Sequence, residues 1–253
     1  MYLTIHGLVL RVTAYKDQDA LLTVLTPDHG KLTVKARGLR RKNSPLVAPC
    51  QLLAYGEFTL FEYRGMYTIN EAHALELFTP LRKDLQKLSL GTYFAQAAEL
   101  LSQEDLPNPE LLSLVLNCLY ALSKLNVSEY LVKSVFELRG ACLAGYAPDL
   151  DGCHMCGAPY PNRFDISQGC LVCTECQNRT SEGIRLPISS GILDAMQYIC
   201  NCDSKRLFSF TAGADTLEKL SSVTESYLST KLERGFSALD FYKSLMIPSD
   251  YLS

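Results

Sequence analysis

Two pairs of cysteines in this chain have the spacing of a zinc site. Cys153-His154-Met155-Cys156 is followed, after sixteen intervening residues, by Cys173-Thr174-Glu175-Cys176. Each C-x2-C turn presents two thiolates, and two such turns can surround one tetrahedral ion. Four thiolates leave no coordination position open to water, so the predicted zinc is structural rather than catalytic. A redox pair or plain buried thiols are the alternatives, and the two matched pairs argue against both.

The other cysteines bear on this assignment. Cys170 leaves a second register open, because Cys170 and Cys173 also form a C-x2-C pair. The preferred ligands are Cys153, Cys156, Cys173 and Cys176. The start of the chain, MYLTIHGLVLRV, lacks the charged segment of a signal peptide, so we expect a reducing compartment in which cysteines bind metal or lie in cores. Core packing is predicted for the remaining five, Cys50, Cys118, Cys142, Cys200 and Cys202.

A second chemical signal is a run of positive charge. Residues 31–42 hold six cations and no acidic residue: Lys31, Lys35, Arg37, Arg40, Arg41 and Lys42. Alternation of Leu32, Val34 and Ala36 with polar residues predicts a strand with one apolar face, and Gly38 begins an exposed loop. Such a row of cations could follow a phosphate backbone, which predicts contact with nucleic acid. An edge strand whose lysines prevent aggregation is the alternative.

This positive charge is local. The whole chain has a formal net charge of -3, which argues against a uniformly basic nucleic-acid protein. Residues 1–80 carry nine basic and seven acidic side chains, whereas the remainder carries fifteen and twenty. Electrostatic steering acts through such local patches, so the amino-terminal part is the predicted binding region.

The elements that position these residues change type near residue 79. Before it, alternating apolar residues predict five short strands, which fit a small barrel such as the OB-fold, the five-stranded barrel known for binding oligonucleotides. Pattern alone leaves an SH3-like barrel open. The predicted strands cover residues 8–15, 20–26, 31–37, 53–63 and 66–74.

From Thr79 onward, the apolar spacing takes the period of helices. Thr79-Pro80 and Asn108-Pro109 are start signals, because a polar N-cap precedes a proline at the first helical position. Helices are predicted over 79–103, 108–125, 128–145, 190–200, 216–233 and 237–245, and we expect the tail from Ile247 to fray. The fold class is therefore α+β. The predicted domains are a barrel at 1–79, a helical domain at 80–149 and 181–253, and a zinc module at 150–180.

Enzyme signatures are absent from the sequence. It contains no G-x-x-x-x-G-K-[ST], no G-x-G-x-x-G after a strand, no G-x-S-x-G and no H-E-x-x-H. The histidines at 6, 29, 73 and 154 are scattered, and no group of carboxylates could hold the metal ions of a nuclease. We therefore predict that the protein is not an enzyme. The apolar run from Leu111 to Leu122 is too short to span a bilayer, so no membrane contact is predicted.

Short segments along nearly the whole chain occur in a telling order: Val9-Leu10, Tyr15, Asp19, Leu21-Leu22-Thr23, Leu25-Thr26, Gly30-Lys31-Leu32, Ala36-Arg37-Gly38, Arg40-Arg41, Gly145-Tyr146-Ala147-Pro148, Gly169 through Cys176, Tyr227-Leu228 and Lys243-Ser244-Leu245. In this order they resemble the bacterial recombination mediator family RecO. The zinc motif is the specific signal among them. Cys170 is a departure, since the family usually carries a second glycine there.

Resemblance to RecO implies an amino-terminal five-stranded OB-fold barrel, followed by an α-helical domain with an inserted four-cysteine zinc module. It implies a DNA-repair factor that binds single- and double-stranded DNA and anneals complementary strands. With RecR, such a factor would promote RecA loading on DNA coated by the single-strand-binding protein SSB. The helical domain, within 80–145 and 187–245, would receive the carboxy-terminal tail of SSB. A cytoplasmic, nucleoid-associated location follows.

The resemblance maps DNA contact onto the barrel, at Lys16, Lys31, Lys35, Arg37, Arg40, Arg41, Lys42 and Arg64. Tyr15, Phe61 and Tyr63 are candidates for base stacking, although barrel aromatics more often belong to a core. The rival interpretation is an interaction scaffold whose barrel and zinc module bind proteins, with incidental DNA contact. A magnesium-dependent nuclease is a third, and the missing carboxylate cluster argues against it.

Overall fold

A computed structural model describes residues 1–179 and 183–246 and confirms the predicted α+β class. A closed five-stranded barrel comes first, and six α-helices follow within the described residues. A small four-stranded sheet lies in sequence between the third and fourth helices. None of the described helices has both the length and the apolar character needed to cross a bilayer. The expected fraying from Ile247 falls outside the described residues.

The barrel strands are β1 (Tyr2–Tyr15), β2 (Asp19–Thr26), β3 (Gly30–Ala36), β4 (Tyr55–Tyr63) and β5 (Met66–Glu76). β1 pairs with both β2 and β4, and β5 lies between β3 and β4, which closes the sheet. Neighbouring strands are antiparallel except β3 and β5, which run parallel. This closed, five-stranded arrangement is OB-like and confirms the predicted barrel.

Apolar alternation explains which face the strands bury. In β3, Leu32, Val34 and Ala36 are buried, as predicted, and they share a core with Leu22 of β2 and Phe58 of β4. Burying each large apolar side chain contributes about 1.5–3 kcal/mol relative to leaving it exposed. The polar residues of β3 therefore lie on its opposite face.

Two element starts differ from the prediction by six residues, whereas the other predicted elements begin within two residues of it. β1 begins at Tyr2 rather than Leu8, because its first half pairs with β4. The first helix begins at Leu85 rather than Thr79, because a short 3-10 turn precedes it. The side chain of Asp84 then accepts a backbone hydrogen bond from the first turn and caps the helix.

The chain forms two compact units. The first contains residues 1–125 and the chain from Phe236, and therefore holds the barrel, α1 (Leu85–Leu101), α2 (Pro109–Lys124) and α6 (Ser237–Leu245). The second contains Asn126–Gly235 and holds α3 (Glu129–Leu143), β6 (Asp149–Cys153), β7 (Arg163–Asp165), β8 (Cys170–Val172), β9 (Arg185–Pro187), α4 (Ser190–Asn201) and α5 (Ala214–Leu232). This grouping follows packing, whereas the predicted domains follow element type, and that division stays a prediction.

The second unit has a buried ion cluster between α3 and α5. Nζ of Lys133 lies 2.9 Å from Oε1 of Glu137 and 2.9 Å from Oε2 of Glu225. The hydroxyl of Thr224 donates to Glu137 at 2.7 Å, and both Lys133 and Glu137 are buried. Removing one partner of such a buried pair typically costs about 3–5 kcal/mol, because the other charge is left uncompensated. The cluster therefore fixes how these two helices pack.

In the first unit, the β2–β3 turn lies against the connection between α1 and α2. The backbone N–H of Lys31 donates to the carbonyl of Gln103 at 3.0 Å. Gly30 has a φ of +60°, and a Cβ there would collide with the carbonyl oxygens of Gln103 and Leu106. Glycine is the residue that meets both demands, the left-handed conformation and the close approach.

Gly30→Ala should destabilise the protein by about 3 kcal/mol or more, because a clash with backbone adds to the cost of the left-handed conformation. Gly65→Ala is the matched control. Gly65 has a φ of +74°, but no described atom lies within 4 Å of the added methyl group, so the loss should be about 1–2 kcal/mol. Urea unfolding measures both, and equal losses would contradict the proposed clash.

Candidate nucleic-acid interface and metal centre

The topology brings three connections of the barrel to one end. β2 begins beside the end of β3, where Ala20 pairs with Ala36. β5 also begins beside the end of β3, where Thr68 pairs with Lys35. The β1–β2 turn, the loop after β3 and the β4–β5 hairpin therefore lie at the same end. In OB-folds, the β1–β2 and β4–β5 connections flank the face that binds oligonucleotides.

Six of the eight predicted DNA-contacting residues are exposed in these connections: Lys16, Arg37, Arg40, Arg41, Lys42 and Arg64. Lys16 lies in the β1–β2 turn and Arg64 in the β4–β5 hairpin. The other four follow β3 and are called the loop cations below. Exposed cations in neighbouring connections can contact one phosphate backbone together.

The remaining two predicted residues are engaged by the protein itself. Nζ of Lys31 donates to the carbonyl of Glu99 at 2.9 Å. Nζ of Lys35 lies 3.0 Å from Oδ2 of Asp19, and its side chain is 14% exposed. These lysines offer less free charge to a ligand than the loop cations do. Contact of any of the eight residues with DNA stays a prediction.

Asp19 positions the basic loop, a role that the sequence did not suggest. Its Oδ1 accepts a hydrogen bond from the backbone N–H of Gly38 at 2.8 Å, and its Oδ2 pairs with Lys35. The hydrogen bond from Gly38 and the contact with Lys35 lower the pKa of the Asp19 carboxyl below its usual value of about 3.9. The signal in the sequence was a carboxylate directly after a turn, and only the fold shows which loop it meets.

Gln18, the neighbour of Asp19, holds the loop at two more points. Its carbonyl accepts a hydrogen bond from the backbone N–H of Arg40 at 3.0 Å. Its side-chain Oε1 accepts one from Nε of Arg41 at 2.6 Å. The β1–β2 turn thus fixes the backbone that carries the loop cations, and a loop ordered in advance loses less entropy on binding.

Aromatic rings alternate with the cations at this end of the barrel. Nζ of Lys16 and Nζ of Lys35 lie 5.5 and 5.0 Å from the ring centroid of Tyr15, which is half-buried. The guanidinium of Arg64 lies 5.2 Å from the ring centroid of Tyr63. Phe61 and Tyr63 are 41% and 60% exposed, so their rings are more accessible to a ligand than that of Tyr15.

The four predicted zinc ligands lie together in the second unit. Their sulfur atoms are all within 4.8 Å of one another, and those of Cys156 and Cys173 are 3.7 Å apart. Sulfurs bound at about 2.3 Å to a tetrahedral ion lie about 3.8 Å apart, so the spacing fits zinc. Cys176 belongs to this group, whereas Cys170 lies in β8 outside it.

Each cysteine pair sits in a tight turn that aims both sulfurs inward. The N–H of Gly157 donates to the carbonyl of Cys153 at 2.7 Å, and Gly157 has a φ of +72°. The N–H of Cys176 donates to the carbonyl of Cys173 at 3.1 Å. The two turns are held together because β8 ends next to the second cysteine pair and pairs with β6, which ends at Cys153.

The pKa values of Cys153 and Cys176 are shifted in opposite directions. Burial disfavours the thiolate of Cys153, but backbone N–H groups, including that of Cys173 at 3.3 Å from its sulfur, outweigh burial and lower its pKa to about 6. Burial and the neighbouring sulfurs raise the pKa of Cys176 to about 12. A divalent cation among the sulfurs would favour the thiolate form of all four, because it supplies the largest local charge.

Few apolar side chains surround the sulfurs, although Phe164, Ile166 and Leu171 of the same module are buried. The buried cluster around the sulfurs consists of Cys153, Cys173, Cys176 and Val172, and the partly buried Ala158 packs against it. Cys156 is exposed. Binding of zinc to such sites contributes on the order of 10 kcal/mol to folding. The site could therefore hold a structural zinc, whose bonds to the sulfurs would stabilise the two cysteine turns.

The core prediction for the other cysteines is right for two residues and wrong for three. Cys50 and Cys118 are buried. Cys142, Cys200 and Cys202 are only half-buried. Cys142 and Cys200 lie in the last turns of α3 and α4, and Cys202 directly follows α4.

Comparison with known proteins adds to this geometry. A family model described as Recombination protein O N terminal matches residues 1–78, and one described as Recombination protein O C terminal matches residues 82–240. The chain is 33% identical over 246 residues to the DNA repair protein RecO of Acetivibrio thermocellus, covering 96% of this chain and 97% of that protein. It is 29% identical over 248 residues to the DNA repair protein RecO of Alkaliphilus metalliredigens, covering 97% and 100%.

Cys176→Ser should abolish zinc binding, whereas Cys170→Ser should retain about one zinc per chain, because only Cys176 completes the tetrahedral set. Metal content of the purified variants by mass spectrometry measures this. Loss of zinc from Cys170→Ser with retention in Cys176→Ser would reverse the assigned register.

Asp19→Asn should lower the melting temperature at pH 7 by removing the charge that holds the loop. Because the folded carboxyl has a lowered pKa, its contribution is full above the unfolded value of about 3.9 and is lost as the pH falls further. The difference in melting temperature between wild type and variant should therefore shrink as the pH falls below about 3.9. Asp17→Asn, an exposed neighbour in the same turn, is the control. A difference that stays constant as the pH falls below about 3.9 would show that charge is not the cause.

Proposed function

The chain belongs to the RecO family, which acts in DNA repair and recombination, and we propose that it is a mediator that binds single- and double-stranded DNA and anneals complementary strands. The observation that carries the proposal is the group of exposed loop cations at the OB-like end of the barrel, held in place by the β1–β2 turn. The resemblance predicted from the sequence is confirmed at the level of the family.

Annealing in this proposal needs no catalytic group. A cationic surface lowers the repulsion between two phosphate backbones and releases their counterions on binding. The chain as a whole has a net charge of -3, so strands would be drawn to the barrel end rather than to the whole surface. The proposed mediator is therefore not an enzyme, and its affinity falls with rising salt.

Base stacking is proposed as the second contribution. Phe61 and Tyr63 expose their rings, that of Tyr63 beside Arg64, and a single strand can place unpaired bases on such rings. Tyr15 remains a candidate with less accessible ring surface, because Lys16 and Lys35 lie over it. Stacking would favour single strands, whereas the cations serve both forms of DNA.

The proposed partners follow from the family. The mediator would act with RecR, accept the carboxy-terminal tail of SSB on helices within residues 80–145 and 187–245, and so promote RecA loading indirectly. The proposed zinc would hold the module at 150–180 in its fold, with Cys153, Cys156, Cys173 and Cys176 as ligands. The proposed location is the cytoplasm, in association with the nucleoid.

The triple variant Arg37→Glu, Arg40→Glu, Arg41→Glu should weaken binding of a labelled oligonucleotide several-fold and make the slope of log affinity against log salt shallower by about 2, because up to three phosphate contacts are lost. Fluorescence anisotropy at several salt concentrations, with single and double strands, measures both quantities. The rival, a protein-binding scaffold, predicts a flat salt dependence in the wild type.

The matched control reverses three exposed cations elsewhere, Lys124, Lys205 and Arg206. It changes the net charge equally, so any loss that it shares with the triple variant reflects overall charge rather than the basic loop. Circular dichroism and the melting temperature confirm that both variants fold. Equal affinities for the two triple variants would remove the loop from the proposed interface.

A further inference from the structure

Outside the metal centre, two cysteines of neighbouring helices lie in contact. Cys142 is in the last turn of α3 and Cys200 in the last turn of α4, and their sulfur atoms are 3.7 Å apart. Reaching the disulfide bond length of about 2.0 Å would need the sulfurs to approach by about 1.7 Å. Both residues are half-buried, so a small solute can reach them.

Arg139 holds the two helix ends together at this point. Its guanidinium, one turn before Cys142, donates to the carbonyl of Ile199 at 3.4 Å and to that of Cys200. These carbonyls belong to the last turn of α4, and the carboxyl end of a helix is where a cation binds favourably. The hydrogen bonds from Arg139 keep the backbone of Cys200 next to the side chain of Cys142.

The chemical state of the two thiols differs in a way that suits a reaction between them. The hydrogen bond with Cys200 lowers the pKa of Cys142, and the charge of Arg139 acts in the same direction. The same contact, with burial, raises the pKa of Cys200. Cys50 is the contrast, since burial raises its pKa to about 12 and leaves it unreactive.

We propose that Cys142 and Cys200 form a reversible disulfide when the protein meets a peroxide. The thiolate of Cys142 attacks one peroxide oxygen, the O–O bond breaks, and protonation releases water and leaves a sulfenic acid at Cys142. The sulfur of Cys200 then attacks that of Cys142, the S–O bond breaks, and a second water leaves. Two thiols lose two electrons in total, and one hydrogen peroxide is reduced to two waters. A dithiol reverses the reaction by exchange.

The bond would join α3 to α4 across residues 143–199, the segment that contains all four metal-binding cysteines. Closing a long loop restricts the unfolded chain and stabilises the folded one. The disulfide would therefore keep the two flanking helices paired under oxidising conditions that threaten zinc thiolates. This role is independent of the proposed contact with DNA.

The test treats the zinc-loaded, full-length protein with equimolar hydrogen peroxide and maps the peptides by mass spectrometry without reduction. The expected product links the Cys142 and Cys200 peptides with the loss of two hydrogens, and dithiothreitol removes it. The oxidised protein should have the higher melting temperature. Cys142→Ser and Cys200→Ser should each abolish the link and the temperature shift, whereas Cys118→Ser should keep both.

Three outcomes would overturn the proposal. In one, Cys142 ends as a sulfinic acid with no link to Cys200. In another, Cys142 links to Cys202, which lies two residues beyond Cys200. In the third, the four metal-binding cysteines oxidise while Cys142 and Cys200 remain reduced. The wild-type peptide map distinguishes all of these, so the result does not depend on whether a serine variant folds.

Discussion

The carboxylate of Asp19 ties the first turn of the barrel to the basic loop, through the N–H of Gly38 at one oxygen and Nζ of Lys35 at the other. Together with the two hydrogen bonds to Gln18, this contact fixes a loop that carries four cations. The carboxylate pairs with Lys35, and the four loop cations remain exposed. The position of the basic loop, and with it the proposed interface, depends on these contacts of the β1–β2 turn.

In the second unit, a buried charge is also balanced by groups of opposite charge. Around α3 and α5, Lys133 is buried between two carboxylates, so the helices pack through satisfied charge as well as apolar surface. In the zinc module, few apolar side chains surround the sulfurs, and the four cysteines converge there. The chain belongs to the RecO family, and its proposed DNA interface lies on the barrel.

Much of the fold was predictable from neighbouring residues along the chain. The alternation of Leu32, Val34 and Ala36 correctly placed one face of β3 in the core, and Asn108-Pro109 correctly marked the start of α2. Some local signals misled. Thr79-Pro80 has the same form as Asn108-Pro109 but begins a 3-10 turn, because Asp84 adopts an extended conformation and restarts the helix.

The sequence by itself determined the barrel, the spacing of the four cysteines and the run of cations, because strand period, turn geometry and charge depend on residues close in the chain. The tertiary structure alone decided that Lys31 and Lys35 face internal oxygens, that Lys133 is buried and that Cys142 meets Cys200. The physical reason is the same in each case. The partner of a side chain is chosen by packing between elements far apart in sequence, and no local pattern records which elements will meet.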